Sequence, residues 1–259
     1  MQFTHLSETV TIKTVSEDSK KGTFEVEGLF AGYGLTVGNA LRRVLLSSLP
    51  GAAVTEIKVK NAPHEFSTLP GLKEDLVELS LNFKRLRFKM HIDEPQVLIL
   101  KVKGEKVITA ADIKTTSEVE IMNPDEPLAT LTSKDAELEI EVKVERGLGY
   151  SAVESRKEGR LNIGTIAIDA IFTPVTKVNF VVEDMRVGDR TDYNRLRLEV
   201  ETDGTISPSS ALHKSANVLK DHFEKISVVA VQELAEEKVP AAEDAPKKKV
   251  RSKKAEKAE

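Results

Sequence analysis

The chain holds 259 residues with 38 basic and 42 acidic side chains, a formal net charge of −4, and neither cysteine nor tryptophan. The lack of cysteine excludes a disulfide scaffold, a Cys-ligated zinc or iron–sulfur centre and a thiol nucleophile. Hydrophobic residues, at 40%, suffice for a buried core, no apolar run approaches the roughly 18 residues of a membrane span, and the mild acidity argues against a dedicated nucleic-acid binder with a basic face.

In chain order, the opening MQFTHLSETVTIK has no basic start, apolar stretch or cleavage site, so the cytoplasm is the expected compartment. Strands are expected at Thr9–Val15 and Thr23–Leu29. A helix is expected over 36–48, with Thr36 as cap and Pro50 beyond its end. Its apolar stripe is Val37, Ala40, Leu41, Val44 and Leu45, while Leu46 and Leu49 lie beside or past it, so this short helix is covered from two sides. Arg42 and Arg43 are neighbours on it, about 100° apart, and cannot share one solvent stripe; an arginine so placed suits an interface. Gly32, Gly34 and Gly38 lead into the helix, but the βαβ alternation of a phosphate loop is absent, and close backbone packing is the plainer use of these glycines.

A strand follows at Ala53–Lys60, then a loop, NAPHEFSTLPG, and a helix over 71–84 whose buried face is Leu72, Leu76, Leu79 and Phe83. From Arg85 the run KRLRFK alternates like an exposed strand. Strands are expected at Gln96–Lys103 and at 137–145, where Leu138, Ile140, Val142 and Val144 alternate with charged residues. Ile166–Thr173, Lys177–Met185 and Arg195–Thr202 complete the set. The last helix, 208–234, starts at Ser207-Pro208 and carries Leu212, Ala216, Leu219, Phe223, Ile226 and Ala230 at alternating spacings of 4 and 3. Such a seam fits either a helix lying on its own sheet or a helix-pairing homodimer. Residues 236–259 hold eight basic and six acidic side chains, a net of +2 that leaves −6 on the body; with no Leu, Ile, Phe or Tyr this tail is expected to be disordered.

No catalytic or metal-ligating set emerges. His213 and His222 share a helix but face opposite sides, nine residues apart, and His64-Glu65 lacks the second histidine of HExxH. Glutamates sit on alternating strand faces and nothing selects an acid–base pair. A freestanding enzyme in the Glu-lined β region and a nucleic-acid module using Lys84–Lys89 and the tail are the other readings on residues alone.

The blocks GYGLTVGNALRRVLLSSLPG (32–51), KEDLVELSLNFK (73–84), VKVERGLGY (142–150), IAIDAIFTPV (166–175) and RTDYNRLRLEVETDGTI (190–206) resemble the alpha subunit of bacterial DNA-directed RNA polymerase. The resemblance covers about residues 1–235. It implies an α+β fold: a discontinuous dimerisation domain of a sheet plus two helices, 1–49 and 168–235, and an inserted, mainly β domain, 50–167. It implies a non-catalytic scaffold without cofactor or metal, dimerising through the first and last helices. Val37, Leu41, Val44 and Leu45 would serve on the first, and Leu212, Ala216, Leu219, Phe223, Ile226 and Ala230 on the last. The dimer would carry the large beta and beta-prime subunits, with omega and sigma in the full complex, and would meet DNA only indirectly. Motif positions carried over are Arg43, Leu46 and Lys84 for beta contact and Ile168 and Val175 for beta-prime contact. The family usually continues into a small helical domain that binds upstream promoter DNA; the chain ends at Glu259 after its Lys-rich tail, so that role is not carried over.

Overall fold

A computed structural model describes residues 8–156 and 164–229. Ala230, the expected helix end at 230–234 and the tail lie outside the described residues. The chain opens with β1 (Thr11–Glu17), β2 (Lys21–Leu29) and α1 (Tyr33–Ser47). A second body follows: β3 (Pro50–Val59), α2 (Leu76–Lys84), β4 (Phe88–Met90), β5 (Gln96–Lys103), β6 (Lys106–Thr109), β7 (Ile113–Lys114), β8 (Val119–Ile121), β9 (Pro127–Leu131), β10 (Glu137–Leu148), β11 (Tyr150–Ser151), β12 (Thr165–Ala167) and β13 (Ala170–Ile171). The chain then returns through β14 (Val175–Val187), β15 (Arg190–Thr202) and α3 (Pro208–Ser227). The fold is α+β, as the resemblance implies.

The first and last segments build one antiparallel sheet in the order β1-β2-β15-β14. Its inward residues alternate as a half-buried sheet requires: Phe24, Val26, Leu196, Leu198 and Val200 are buried. α1 places Leu41 and Leu45 on this face, and α3 adds Ala211 and Leu212 to the same core. The outward face is a charge ladder. Lys13 Nζ meets Glu27 Oε2 at 2.6 Å, Arg195 reaches the other Glu27 oxygen at 3.1 Å, and Arg197 holds Glu25 at 2.7 Å.

The second body is a larger sheet, β7-β5-β10-β3-β4-β8, with β12 also on β3. α2 lays Leu76, Leu79 and Phe83 into its core, all fully buried beside Ile57, Leu98, Leu100 and Ile140. Leu86, Phe88 and Met90 are buried while Lys89 is exposed, so the KRLRFK alternation is the start of a half-buried strand.

The expected helix over 208–234 ends at Ser227, with Val228 as its cap, and three other expected boundaries move for tertiary reasons. α1 begins at Tyr33, and its cap is Gly32 in the left-handed region (φ 84°) rather than Thr36. Asn194 on β15 supplies the acceptor: its Oδ1 takes the Gly32 N–H at 2.9 Å and the Gly34 N–H at 3.4 Å, while the Thr36 hydroxyl donates back to the Gly32 carbonyl at 3.4 Å. Gly34 and Gly38 face Val182 and Phe180, which a Cβ would meet at 2.6 and 2.8 Å, so the glycines do serve close packing. α2 begins at Leu76 because 71–75 is used elsewhere. Leu72 bridges to Leu131, the Lys73 N–H donates to the Thr130 carbonyl, and Asp75 caps the helix by accepting from the Glu78 N–H at 2.6 Å. The stretch 166–173 is two short strands, β12 and β13, separated at Ile168-Asp169 where the chain turns from one body toward the other.

Candidate assembly surface

α1 divides its residues between two neighbours. Leu41 and Leu45 are buried and Val37 and Val44 half-buried on the sheet side, whereas Arg42, Arg43 and Leu46 point outward and are exposed. Among the described residues neither arginine has a carboxylate within ion-pair distance. That contrasts with the strand-face cations: Lys60 and Lys101 both hold Glu139, at 2.7 and 3.3 Å, and keep its carboxyl below the usual carboxylate range. A carboxyl lowered in this way is held ionised, the wrong direction for a general acid at neutral pH. Among the described residues, no three His, Asp or Glu side chains form a metal-binding group.

Lys84, at the end of α2, lies near the same region. Its Nζ is 3.4 Å from Asp169 Oδ2 and 5.9 Å from the centroid of the Tyr150 ring. Asp169 is the hub of this cluster. Its Oδ1 accepts the Val153 N–H at 3.0 Å. That bond first, then Tyr150 and Lys84, hold the carboxyl below its ordinary range, against the opposing effect of burial. The same carboxylate pushes the Tyr150 phenol above the ordinary tyrosine value. Tyr150 pairs with Ile171 between β11 and β13, and Thr173 donates to the Leu46 carbonyl at 3.1 Å, which ties the cluster to the end of α1.

The residues carried over for the partner role thus fall into two kinds. Arg43, Leu46 and Lys84 are at the surface, with Lys84 half-buried. Ile168 and Val175 are buried, 5% and 4% exposed, in the cores of the second and first bodies respectively. The helix seam also divides. Leu212 is buried and Leu219 half-buried on the chain's own sheet, Ala216 is exposed, and Phe223 and Ile226 stand 62% and 63% exposed. Val228 and Val229, just past α3, are exposed as well.

Reading the sequence alone missed Leu148, Tyr150 and Asp169. Two signals bear on them: Asp169 interrupts the apolar run IAIDAIF, and Leu148 follows the strand's charged end at Arg146-Gly147. Neither signal says that the two segments meet.

Comparison with known proteins places the chain. Residues 56–173 match the family described as RNA polymerase Rpb3/RpoA insert domain. The chain is 49% identical over 215 residues to the DNA-directed RNA polymerase subunit alpha of Symbiobacterium thermophilum, covering 82% of this chain and 68% of that protein. It is 50% identical over 213 residues to the same subunit of Carboxydothermus hydrogenoformans, with the same two coverages. Against the subunit of a Roseiflexus species it is 49% identical over 216 residues, covering 83% of this chain and 66% of that protein. At such identity over most of its length, this chain belongs to the family of bacterial DNA-directed RNA polymerase alpha subunits.

Proposed function

We propose that this polymerase subunit is a non-catalytic, cytoplasmic scaffold that homodimerises through α1 and α3 and carries the beta and beta-prime subunits. The carrying observation is the far half of α3. Phe223 and Ile226 lie at heptad spacing with no cover from their own body, 62% and 63% exposed, although the same helix is anchored at its start by buried Ala211 and Leu212. A bare seam on an anchored helix suits a second copy of the same helix, and an obligate interface of this kind buries roughly 2,000 Å² or more in total.

In this reading residues 1–49 and 168–235 form the dimerisation domain and 50–167 the inserted domain. Arg43, Leu46 and Lys84 meet beta. Ile168 and Val175, being buried, act on beta-prime docking by fixing the path of 169–174 between the two bodies. Omega and sigma join the full complex, and DNA is met through the other subunits.

The test is sedimentation of the purified chain together with capture of beta. The expected result is a dimer at micromolar concentration. Arg43→Ala is expected to leave the dimer intact and to weaken beta capture. A monomer under those conditions, or undiminished capture by Arg43→Ala, would overturn the corresponding half of the reading.

A further inference from the structure

We propose that the beta-docking surface does not end at α1 and Lys84 but continues across Leu148 and Tyr150 to the outer face of α2, covered throughout by the one large subunit that Arg43 captures. This rests on the reading that Arg43 and Lys84 meet that subunit.

The physical basis is a series of exposed apolar side chains linked through Lys84 and Gly149. α2 is apolar on two faces. Leu76, Leu79 and Phe83 fill the core, while Val77 and Leu81, one turn apart on the other side, are 37% and 53% exposed. Three residues past Leu81 stands Lys84, its ammonium over the Tyr150 ring at 5.9 Å. Tyr150 and Leu148 flank Gly149 and are each 61% exposed. Gly149 itself lies at the end of α1, where a Cβ would stand 3.2 Å from the Ser47 carbonyl, and its own carbonyl accepts the Phe172 N–H at 2.8 Å. The next outward side chain on α1 is Leu46. Exposed leucines scattered over a surface need no explanation, but exposed Leu148 and Ile171 beside exposed Tyr150 form an apolar group of the kind that marks an interaction site.

The centre of the track is ordered in advance. Asp169 holds Lys84 at 3.4 Å while its other oxygen is tied to the Val153 N–H, and Tyr150 is held by its pairing with Ile171, its ring 5.9 Å from the Lys84 ammonium. A tyrosine and a lysine stem held this way lose little rotamer freedom on binding, the condition under which an aromatic residue becomes an anchor. At the α1 end Arg42 and Arg43 have no carboxylate of their own among the described residues. The matching partner segment is therefore apolar, with carboxylates placed to meet the arginines. In the proposed function the second copy takes the bare α3 seam through Phe223 and Ile226, which leaves this surface, joined to α1 at Gly149, to the subunit that Arg43 meets.

The experiment uses the full chain with Leu148→Glu and, separately, Tyr150→Ala, both at exposed positions where the fold tolerates change. Sedimentation reports the dimer and titration with purified beta subunit reports capture. Both variants are expected to remain dimeric and to bind beta at least about tenfold more weakly, with Tyr150→Phe close to the parent because the ring is kept. If both variants capture beta as the parent does while Arg43→Ala fails, the extension is wrong and the Arg43 site stands alone. If Arg43→Ala also captures normally, the underlying reading falls with it. Loss of the dimer in Tyr150→Ala would assign the track to the second copy and overturn the proposal.

Discussion

Asn194 joins residues that are 160 positions and more apart in sequence. Its side-chain oxygen accepts two N–H groups at the start of α1, and its Nδ2 donates to Asp184 Oδ1 at 3.1 Å. The side chain is 7% exposed and Gly34 is buried, so removing it leaves the Gly34 amide without a partner away from water. Asn194→Ala is expected to cost about 1–3 kcal/mol, the scale of a lost cap together with an unpaired buried donor. Urea unfolding at fixed protein concentration measures it; a change below a few tenths would mean that α1 is capped some other way. Asp169 gives a second residue-scale expectation. Its folded pKa is lowered, so its contribution to stability is complete above the ordinary carboxylate value and is lost as pH falls through the lower folded value. Tyr150 reports the same contact from the other side. Asp169→Asn is expected to bring the raised phenol titration back toward the ordinary tyrosine value, followed by NMR of ring-labelled tyrosine. An unmoved titration would show that the carboxylate is not its cause.

At the scale of elements, α3 is the helix whose ends have different surroundings. Phe223 is exposed in the single chain, so Phe223→Asp leaves the monomer fold intact and puts an unpaired charge into the proposed dimer seam. The expected outcome is a folded monomer in sedimentation with an unchanged far-ultraviolet circular dichroism spectrum below the seam's dissociation point. A dimer that persists would remove α3 from the interface. This helix also shows what a one-dimensional pattern carries. The heptad spacing from Leu212 to Ile226 was legible, as was Ser207, whose hydroxyl accepts the Ser210 N–H at 3.3 Å. Which half of the seam the chain covers by itself was not, because periodicity records that a face is apolar and not what lies against it. The same limit explains α1 and 166–173. The acceptor at the start of α1 comes from β15, beyond any local window, and the apolar run through Ile166–Thr173 conceals a change of body at Asp169. By contrast 137–145 was legible throughout, since alternation and charge agree along its whole length: Leu138, Ile140, Val142 and Val144 are all buried in β10.

Across the whole molecule, the chain passes between two hydrophobic cores twice, at Leu49–Ala52 and again on its return at Ile168–Val175. Ile168 closes the core of the α2 body and Val175 opens the core beneath α1 and α3. Between them Phe172 forms a small cluster with Ala53 and Ala170. Two glycines make room for it: a Cβ on Gly147 would meet the Phe172 ring at 2.6 Å, and one on Gly51 would meet its carbonyl oxygen at 1.8 Å. The crossing also carries Ile171 outward beside Tyr150, so the geometry of the docking track depends on it. Phe172 is 6% exposed, and its truncation removes the packing that holds the crossing segment against β3 and β10. Phe172→Ala is expected to destabilise by about 3–5 kcal/mol, the cost of emptying a buried phenylalanine site. The loss should also be uneven. Amides of β14 and β15 and those of β3 and β10 are expected to exchange with a common opening free energy in the parent and to separate into two groups in the variant, since each sheet keeps its own core. Hydrogen exchange followed by mass spectrometry distinguishes this from simple loss of stability. If both groups fall together by the same amount, the two bodies are coupled by more than Phe172, and the salt bridge between Arg87 and Asp203, 4.0 Å apart, is the next contact to remove.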